Sequence, residues 1–266
     1  MARSEVWFGV AGWSYEDWKD VVYPRNCKDT LRAVAQRVQL IEINSTFYGL
    51  PSARNARSWV ERTADLGTWF TAKLPQEFTH VRRFDDDLVA KVRDGFAPLT
   101  ASGRFFGLLA QFNHEFPFDA GAVAHVTRLA QAFGADCQLF VEVRHRSWNA
   151  AAAMSAMAEL GVAVLALDYP GAVGGFSRDV PGVHGKAGIA YLRLHGRNRA
   201  WFRKGAGRVE VYDWRYSPDE VGQIAQRIDR LAEVAPRTLV VANNHFHGKA
   251  MQVVEDLLAY YRGAGA

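Results

Sequence analysis

Eight short apolar segments, rich in Val, Ile, Leu and Phe, recur along the 266 residues of this chain. They are Val6 to Val10, Gln39 to Ile43, Trp69 to Lys73, Phe105 to Gln111, Leu139 to Val143, Val162 to Leu167, Ile189 to Leu194 and Leu239 to Ala242. Strands covered on both faces need such continuous hydrophobicity, whereas strands with one face in water alternate apolar and polar residues. The pattern therefore predicts eight buried parallel strands.

Amphipathic stretches that carry helix start and stop signals separate these segments. Residues that suit an N-cap are Asp29, Ser52, Asp119 and Asn149. Gly134 and Gly161 suit the position just after a helix C-terminus, where a left-handed backbone conformation is common. The clearest start is Ser217, followed by Pro218 and then by Glu220, which is the pattern of a capping box with proline at the first helical position.

The spacing of the apolar segments predicts the fold class. The segments follow one another at about 33 residues, the length of one strand plus one helix. Eight such units close into a barrel of about 250 residues. We therefore predict an α/β fold, a TIM-type (β/α)8 barrel with parallel strands, as a single domain over residues 1–266. The alternative is an open doubly wound sheet, which needs a glycine-rich phosphate turn that the first strand lacks. Two long connections, 169–188 and 196–216, have the length of lids, binding loops or disordered inserts.

Composition and charge narrow the class of protein further. With 49% hydrophobic and 23% charged residues, the chain is neither disordered nor a small disulfide-stapled scaffold. The net charge of +4 is dispersed along the sequence, so nucleic acid is not favoured as a partner. Cys27 and Cys137 lie too far apart for a metal or redox motif. The first residues lack an apolar leader and no long apolar run occurs, so we expect a cytoplasmic protein without membrane contact.

Polar and charged residues stand at the carboxyl ends of nearly all the predicted strands, where such barrels build their active sites. The set comprises Glu42, Asn44, Lys73, Gln111, Glu142, Arg144, Asp168, Arg193, His195, Asn243 and Asn244. Its acids and bases balance, which suits either buried ion pairs that hold the barrel mouth or a polar binding site. Ion pairs are often no more stabilising than apolar packing, so stability alone does not explain so many ionisable groups at one end. We therefore favour a binding site.

The loops after the seventh and eighth predicted strands hold a candidate anion site. They read HGRNR from His195 and NNHFHGK from Asn243. Gly196 permits a close backbone approach and Arg197 offers paired donors, as a phosphate, sulfate or carboxylate requires. Aromatic rings at the same end favour a hydrophilic ligand over a lipid, and those expected beside it are Trp13, Tyr48 and Trp148.

Histidines raise the alternative of a metal site. Six of them follow a predicted strand within a few residues, namely His80, His114, His145, His195, His245 and His247. Barrel phosphodiesterases and isomerases hold divalent metals with such residues. Three nearby cations, Lys73, Arg144 and Arg193, oppose a metal ion. We therefore predict no cofactor and no metal ligands, and keep a divalent metal as the alternative.

Nine stretches resemble a known family, the domain-of-unknown-function family DUF72, also called YecE-like. In chain order they read GWSYEDWKDVVYP from Gly12, IEINSTFYGLPS from Ile41, AKLPQEFTH from Ala72, LLAQF from Leu108, VEVRHRSW from Val141, LDYP from Leu167, YLRLHGRN from Tyr191, YDWRYS from Tyr212 and NNHFHGKA from Asn243. The resemblance covers essentially the whole chain. It implies a TIM-type barrel and brings no established reaction or cofactor.

These observations favour an enzyme, of hydrolase or lyase type, that performs acid/base chemistry on a small polar, anionic or phosphorylated ligand. Glu142 and Asp168 are the candidate base and acid, while Lys73 and His195 are expected to stabilise charge or relay a proton. The residues expected to bind the substrate are Trp13, Glu42, Asn44, Tyr48, Gln111, Arg144, Trp148, Arg193, Gly196, Arg197, Asn243 and Asn244. Two alternatives stay open: a metal-dependent phosphodiesterase or endonuclease acting on nucleic acid, and a ligand-binding protein without turnover.

Overall fold

Parallel strands form the interior of the protein in a computed structural model that describes residues 4–170, 183–203 and 205–264. The strands are β1 (Glu5–Ala11), β2 (Leu40–Ile43), β3 (Trp69–Lys73), β4 (Phe105–Gln111), β5 (Gln138–Glu142), β6 (Ala163–Val164), β7 (Ala166–Asp168), β8 (Ile189–Leu194) and β9 (Arg237–Ala242). All the pairings between these strands are parallel, as the continuous apolar segments predict. Their carboxyl ends consequently meet at one end of the sheet.

One sheet contains the nine strands in the order β6-β5-β4-β3-β2-β1-β9-β8-β7. Its two outermost strands are neighbours in the sequence, since Leu165 alone separates β6 from β7. In this segment Ala163 pairs with Phe140 of β5, whereas Leu167 pairs with Arg193 of β8. The sheet therefore curls into a nearly closed α/β barrel, and the sixth predicted strand is in fact two.

A short backbone segment covers the free edge of β6. The amide of Val164 donates to the carbonyl of Val183 at 2.8 Å. Ala163 and His184 form an isolated antiparallel bridge beside it. The edge strand at this point thus pairs with returning chain rather than with β8. The earlier part of this long connection, residues 171–182, where the sequence predicts a lid, a binding loop or a disordered insert, lies outside the described residues.

Among the described residues, helices follow each of β1 to β5, β8 and β9, as the spacing predicts for most of the chain. They are α1 (Thr30–Ala35), α2 (Ala53–Arg62), α3 (Asp86–Ala101), α4 (Ala120–Phe133), α5 (Ala151–Glu159), α6 (Arg208–Val211), α7 (Pro218–Val234) and α8 (Lys249–Ala264). Among the described residues no helix is long and apolar enough to cross a membrane.

Most of the predicted helix boundaries are confirmed. The side chains of Asp29, Ser52 and Asp119 each accept a hydrogen bond from the backbone three residues later, as N-caps do. The capping box that begins at Ser217 is complete, because both of its reciprocal bonds form. Gly161 has the left-handed φ of +66° that was expected after α5.

One predicted boundary and one predicted backbone conformation are wrong. Asn149 does not cap α5, because it closes a 3₁₀ turn, Arg146–Asn149, and Ala150 takes the cap position without a side-chain bond. Gly134 follows α4 directly with a right-handed φ of −65°, so it ends the helix without the left-handed turn.

Close packing between β1 and β2 depends on Gly9. A Cβ atom at this position would lie 2.1 Å from the carbonyl oxygen of Leu40. Only glycine permits this approach, so the close packing of β1 against β2 at this point depends on the absence of a side chain.

Candidate functional site

A cavity of about 460 Å³ opens at the carboxyl ends of the strands, within the size range of small-molecule sites, about 300–1,000 Å³. We call it the barrel-mouth cavity. The residues that line it are Gly12, Trp13, Ser14, Tyr15, Asn44, Ser45, Phe47, Tyr48, Lys73, His80, Gln111, Arg193, Tyr212, Asn243 and His245. None of these lining residues is Asp or Glu. The cavity is therefore polar and cationic at its charged positions.

Seven of the side chains predicted from the sequence line this cavity. They are Trp13, Asn44, Tyr48, Lys73, Gln111, Arg193 and Asn243. The other predicted residues are not among its lining and fall into a buried cluster around Arg193, a second cluster around Asp168, and three positions that support the loops. The predicted residues at the strand ends thus line the cavity, form one of two ion-pair clusters, or support the loops.

The Arg193 cluster consists of Glu42, Glu142, Arg144, Arg193 and His195. Arg193 donates to Glu42 Oε1 at 2.7 Å through Nη2, and it donates to Glu142 through Nη1. Its side chain and both carboxylates are fully buried. Arg144 donates through Nε to Glu142 Oε1 at 2.9 Å. Two carboxylates and two guanidinium groups therefore neutralise one another within this cluster.

Two further side chains connect the Arg193 cluster to its surroundings. The hydroxyl of Tyr191 donates to Glu42 Oε2 at 2.6 Å. Arg193 Nη1 also donates to Gln111 Oε1 at 3.1 Å. The amide nitrogen of Gln111 makes no hydrogen bond to the described residues. Gln111 thus connects the ion pairs to the cavity and presents a donor there.

Glu142 is held in its charged form. Burial raises the pKa of its carboxyl, but the charges of Arg193 and Arg144 outweigh burial and hold that pKa well below the usual range. A carboxylate in this state is a weak base at neutral pH. Its two guanidinium partners thus make Glu142 poorly suited to the role of general base that the sequence predicts.

His195 is neutral at physiological pH. Burial lowers its pKa to about 4, even though Glu142 Oε2 lies 3.4 Å from its Nε2 and acts in the opposite direction. Asn243 Nδ2 donates to its Nδ1 at 3.1 Å, so the neutral ring carries its proton on Nε2, facing Glu142. His195 packs behind Asn243 and does not line the cavity.

The Asp168 cluster lies apart from the cavity. Arg197 donates to both carboxylate oxygens of Asp168, at 2.9 and 2.8 Å, and Arg227 of α7 donates to Oδ2 at 2.9 Å. The hydroxyl of Tyr216 donates to Oδ1 at 3.1 Å. Burial raises the pKa of the Asp168 carboxyl, but its arginine partners prevail and hold that pKa below the usual value. The guanidinium of Arg197, expected to grip an anion, here binds Asp168 and Glu220.

Three other predicted residues support the loops. Trp148 is fully buried and donates through its indole nitrogen to the Phe116 carbonyl at 2.7 Å. Gly196 has a φ of +84° and its amide donates to the hydroxyl of Tyr216. Asn244 is buried and donates to the Trp214 carbonyl at 2.8 Å. The structure places each of these in packing contacts rather than in the lining of the cavity.

Lys73 is the last residue of β3 and lines the cavity. Its Nζ lies 4.2 Å from the centre of the Phe47 ring, a cation–π contact. Within the described part of the chain its amine has no hydrogen-bond or ion-pair partner. Burial lowers the pKa of this amine to about 7, and the charge of Arg193 acts in the same direction. Glu42 and Glu142 oppose the shift without overcoming it.

Several lining residues were not predicted to bind the substrate, and the larger ones are Tyr15, Phe47, His80, Tyr212 and His245, of which His80 and His245 were considered only for the alternative metal site. Tyr15 stacks on His245 with ring centres 4.6 Å apart, and Tyr212 lies 5.2 Å from the same histidine. The signals were present, since these residues lie within the loop motifs after the strands. Which of many loop rings would face the cavity was not readable from spacing.

A metal centre is not formed by the residues that the structure describes. Within residues 4–170, 183–203 and 205–264, no three His, Cys, Asp or Glu side chains come together in a way that could hold a metal ion.

This chain is similar to known proteins over nearly its whole length. The family described as "Protein of unknown function DUF72" matches residues 7–265. The chain belongs to the DUF72 family. The UPF0759 protein YunF of Bacillus subtilis (strain 168) is 25% identical over 280 residues, covering 97% of this chain and 96% of that protein.

Solved structures of other DUF72 proteins have the same fold. A DUF72 family protein from Thermotoga maritima is 28% identical, with a TM-score of 0.86, covering 97% of this chain and 99% of its own. One from Enterococcus faecalis is 19% identical, with a TM-score of 0.84, covering 97% and 95%. The barrel predicted from the sequence is thus confirmed, and so is the resemblance that pointed to DUF72.

Proposed function

We propose that this DUF72 protein is an enzyme that performs acid/base chemistry on a small, polar, anionic ligand in the barrel-mouth cavity. The observation that carries the proposal is the unpaired amine of Lys73 at the end of β3. The sequence also suggested Glu142 and Asp168 as base and acid. Each of those carboxylates is bound by two guanidinium groups, so the proposal assigns the proton transfer to Lys73.

The charges around the cavity support an anionic ligand. Glu42, Glu142, Arg144 and Arg193 sum to zero within their cluster. Lys73 adds one positive charge that no carboxylate of the described lining balances. In a partly desolvated cavity this charge attracts an anion more strongly than a surface lysine does.

Polar groups around Lys73 suit the rest of such a ligand. The amide side chains of Asn44, Gln111 and Asn243 line the cavity from the ends of β2, β4 and β9. Amides of this kind donate and accept hydrogen bonds, as hydroxyl groups require. The apolar ring of Phe47 and the indole of Trp13 line the same cavity and add surface for carbon atoms. A short hydroxylated compound with a phosphate or carboxylate matches this combination.

Lys73 has the protonation behaviour that general acid/base catalysis needs. A catalytic group works best when its pKa lies near the working pH, because both of its forms are then populated. The amine meets this condition with its pKa of about 7, whereas an ordinary lysine stays protonated. An anion bound nearby stabilises the ammonium form, so binding converts the amine into a proton donor.

Sulfate binding tests the charge that Lys73 supplies, because sulfate keeps its charge over the whole pH range used. Calorimetric titration should show an affinity that falls by about 50-fold between pH 7 and pH 9, if the ammonium form alone binds. The group next to Lys73 that titrates nearest this range is His80, whose pKa burial lowers further, so it is neutral throughout. The ion-paired groups that act on the amine are Arg193, Glu42, Glu142 and Arg144.

Variants and turnover complete the test. Lys73→Met should abolish sulfate binding, whereas Lys91→Met, which removes an exposed lysine paired with Asp87, should leave it unchanged. Phosphorylated and carboxylated polyols can then be screened by NMR for conversion that Lys73→Met abolishes. A pH-independent sulfate affinity, or conversion that persists in Lys73→Met, would contradict the proposal.

A further inference from the structure

The lysines of this chain differ sharply in their surroundings. Four of them have partners: a carboxylate for three and the Gly134 carbonyl for one, in Lys19, Lys91, Lys249 and Lys186. Two described lysines have no such partner, the exposed Lys28 and the cavity-lining Lys73. Lys204 lies outside the described residues. Lys73 is thus the described lysine that combines a cavity with an uncommitted nitrogen.

The geometry around this nitrogen suits a nucleophile. The face of the Phe47 ring, 4.2 Å from Nζ, attracts the ammonium form but supplies no carboxylate or carbonyl acceptor, and burial outweighs this attraction. The nearby positive charge of Arg193 favours the neutral amine, which carries a free electron pair. A desolvated lysine next to another cationic group is a known arrangement for attack on carbonyl carbon.

We propose that the ligand of the barrel-mouth cavity carries an aldehyde or ketone and that Lys73 forms an imine with it. This inference rests on the proposed function, because it names the substrate class of the same site. The neutral amine adds its electron pair to the carbonyl carbon and gives a carbinolamine. The former carbonyl oxygen then leaves as water, taking with it both hydrogens of the amine, and a carbon–nitrogen double bond remains. No oxidant or reductant is consumed.

The surrounding residues fit this chemistry. Loss of water requires a proton to pass from the amine to the departing oxygen, and the imidazole rings of His80 and His245, which line the same cavity, can relay it. The amide nitrogen of Gln111 can donate to a hydroxyl next to the carbonyl, because its oxygen is already used by Arg193. An imine also withdraws electrons from the neighbouring carbon, so its proton can be removed near neutral pH. The substrate class is therefore a small hydroxylated aldehyde or ketone with an anionic end.

Reductive trapping with pyridoxal 5′-phosphate, an anionic aldehyde, tests this inference. Borohydride delivers hydride to the imine carbon, the nitrogen takes a proton from water, and a stable secondary amine results. Peptide mass spectrometry then locates the adduct among the seven lysines of the chain. At pH 7 about half of the Lys73 amine is neutral, against about 1 in 2,500 for an ordinary lysine. We expect Lys73 to be labelled first, with a yield that reaches half its maximum near pH 7.

Controls separate covalent chemistry from binding. Pyridoxine 5′-phosphate has the same ring and phosphate but an alcohol in place of the aldehyde, so it should compete with labelling without forming an adduct. Lys73→Met should lose the adduct and Lys91→Met should keep it. Lys73→Arg retains a cation at the site, so it should still bind pyridoxine 5′-phosphate while giving no adduct, and circular dichroism confirms the fold of each variant.

The outcomes distinguish the two proposals. If both phosphate compounds bind in a manner that depends on Lys73 but borohydride leaves that lysine unmodified, the imine is refuted and the proposed anionic ligand stands. Labelling of all accessible lysines at equal rates also refutes the imine. If sulfate and pyridoxine 5′-phosphate both fail to bind, the proposed function itself falls.

Discussion

Replacing the fully buried Glu142 with glutamine removes one negative charge from its cluster and leaves Arg193 and Arg144 short of a partner. Breaking a buried ion pair by removing one member costs about 3 to 5 kcal/mol, because the remaining charge stays desolvated. The unfolding entropy of a chain of this length is about 0.56 kcal/mol/K. The expected loss therefore corresponds to a fall in Tm of about 5 to 9 °C.

Urea unfolding followed by tryptophan fluorescence measures this loss directly. A matched control is Glu5→Gln, because Glu5 pairs with Arg237 at 3.2 Å and both side chains are about half exposed. That variant should stay within about 1 kcal/mol of the parent protein. If Glu142→Gln costs no more than Glu5→Gln, the buried cluster does not contribute as described and the reasoning is refuted.

The pH dependence provides an independent check. The folded pKa of Glu142 lies well below its ordinary value, so its charge stabilises the fold fully above about pH 4.5. That stabilisation is lost as the pH falls through the folded pKa. The gap in stability between the parent and Glu142→Gln should consequently persist at neutral pH and narrow as the pH falls below about 4.5. A gap that widens in acid would contradict the assignment.

Three further changes test the fold around the site. Asp168→Asn should cost about 3 kcal/mol in urea unfolding, because Arg197 and Arg227 lose the buried carboxylate that they share; an unchanged midpoint would contradict that pairing. Ser217→Ala should cost about 1 kcal/mol through the lost N-cap, with Ser217→Gly costing less. Gly9→Ala should cost about 3 kcal/mol or more, because its Cβ overlaps the Leu40 carbonyl, and a soluble variant of parental Tm would disprove the close approach.

The fold was predictable because its signals are local. Continuous apolar segments and their spacing indicate parallel strands and βα units without any knowledge of contacts. The division of residues 162–167 into two strands was not predictable, because the same apolar run suits one strand or two. Val164 and Ala166 belong to different strands because Val164 pairs with β5 whereas Ala166 pairs with β8.

The site was predictable in its position but not in its pairings. Parallel strands bring their ends together, which placed Lys73 and Arg193 in one cavity. Asp168 instead binds Arg227, which is 59 residues away on α7 and stands in no motif that points to the strand. The start of α5 was equally hard to predict from local sequence. Asn149 is a good N-cap residue, but it belongs to the preceding 3₁₀ turn and so does not cap the helix.

The interrupted sixth strand also affects how the barrel can open. In a fully laddered barrel any separation between strands breaks a row of backbone hydrogen bonds, whereas here the chain itself joins the two ends of the sheet through Leu165. The amide of Val164 is occupied by Val183, so a foreign strand finds no free template on that part of the edge. Amide exchange with solvent should therefore begin at the junction between β6 and β7, since local opening starts where the fewest hydrogen bonds are broken. The barrel is therefore closed at this point by a covalent chain connection rather than by a continuous ladder of hydrogen bonds.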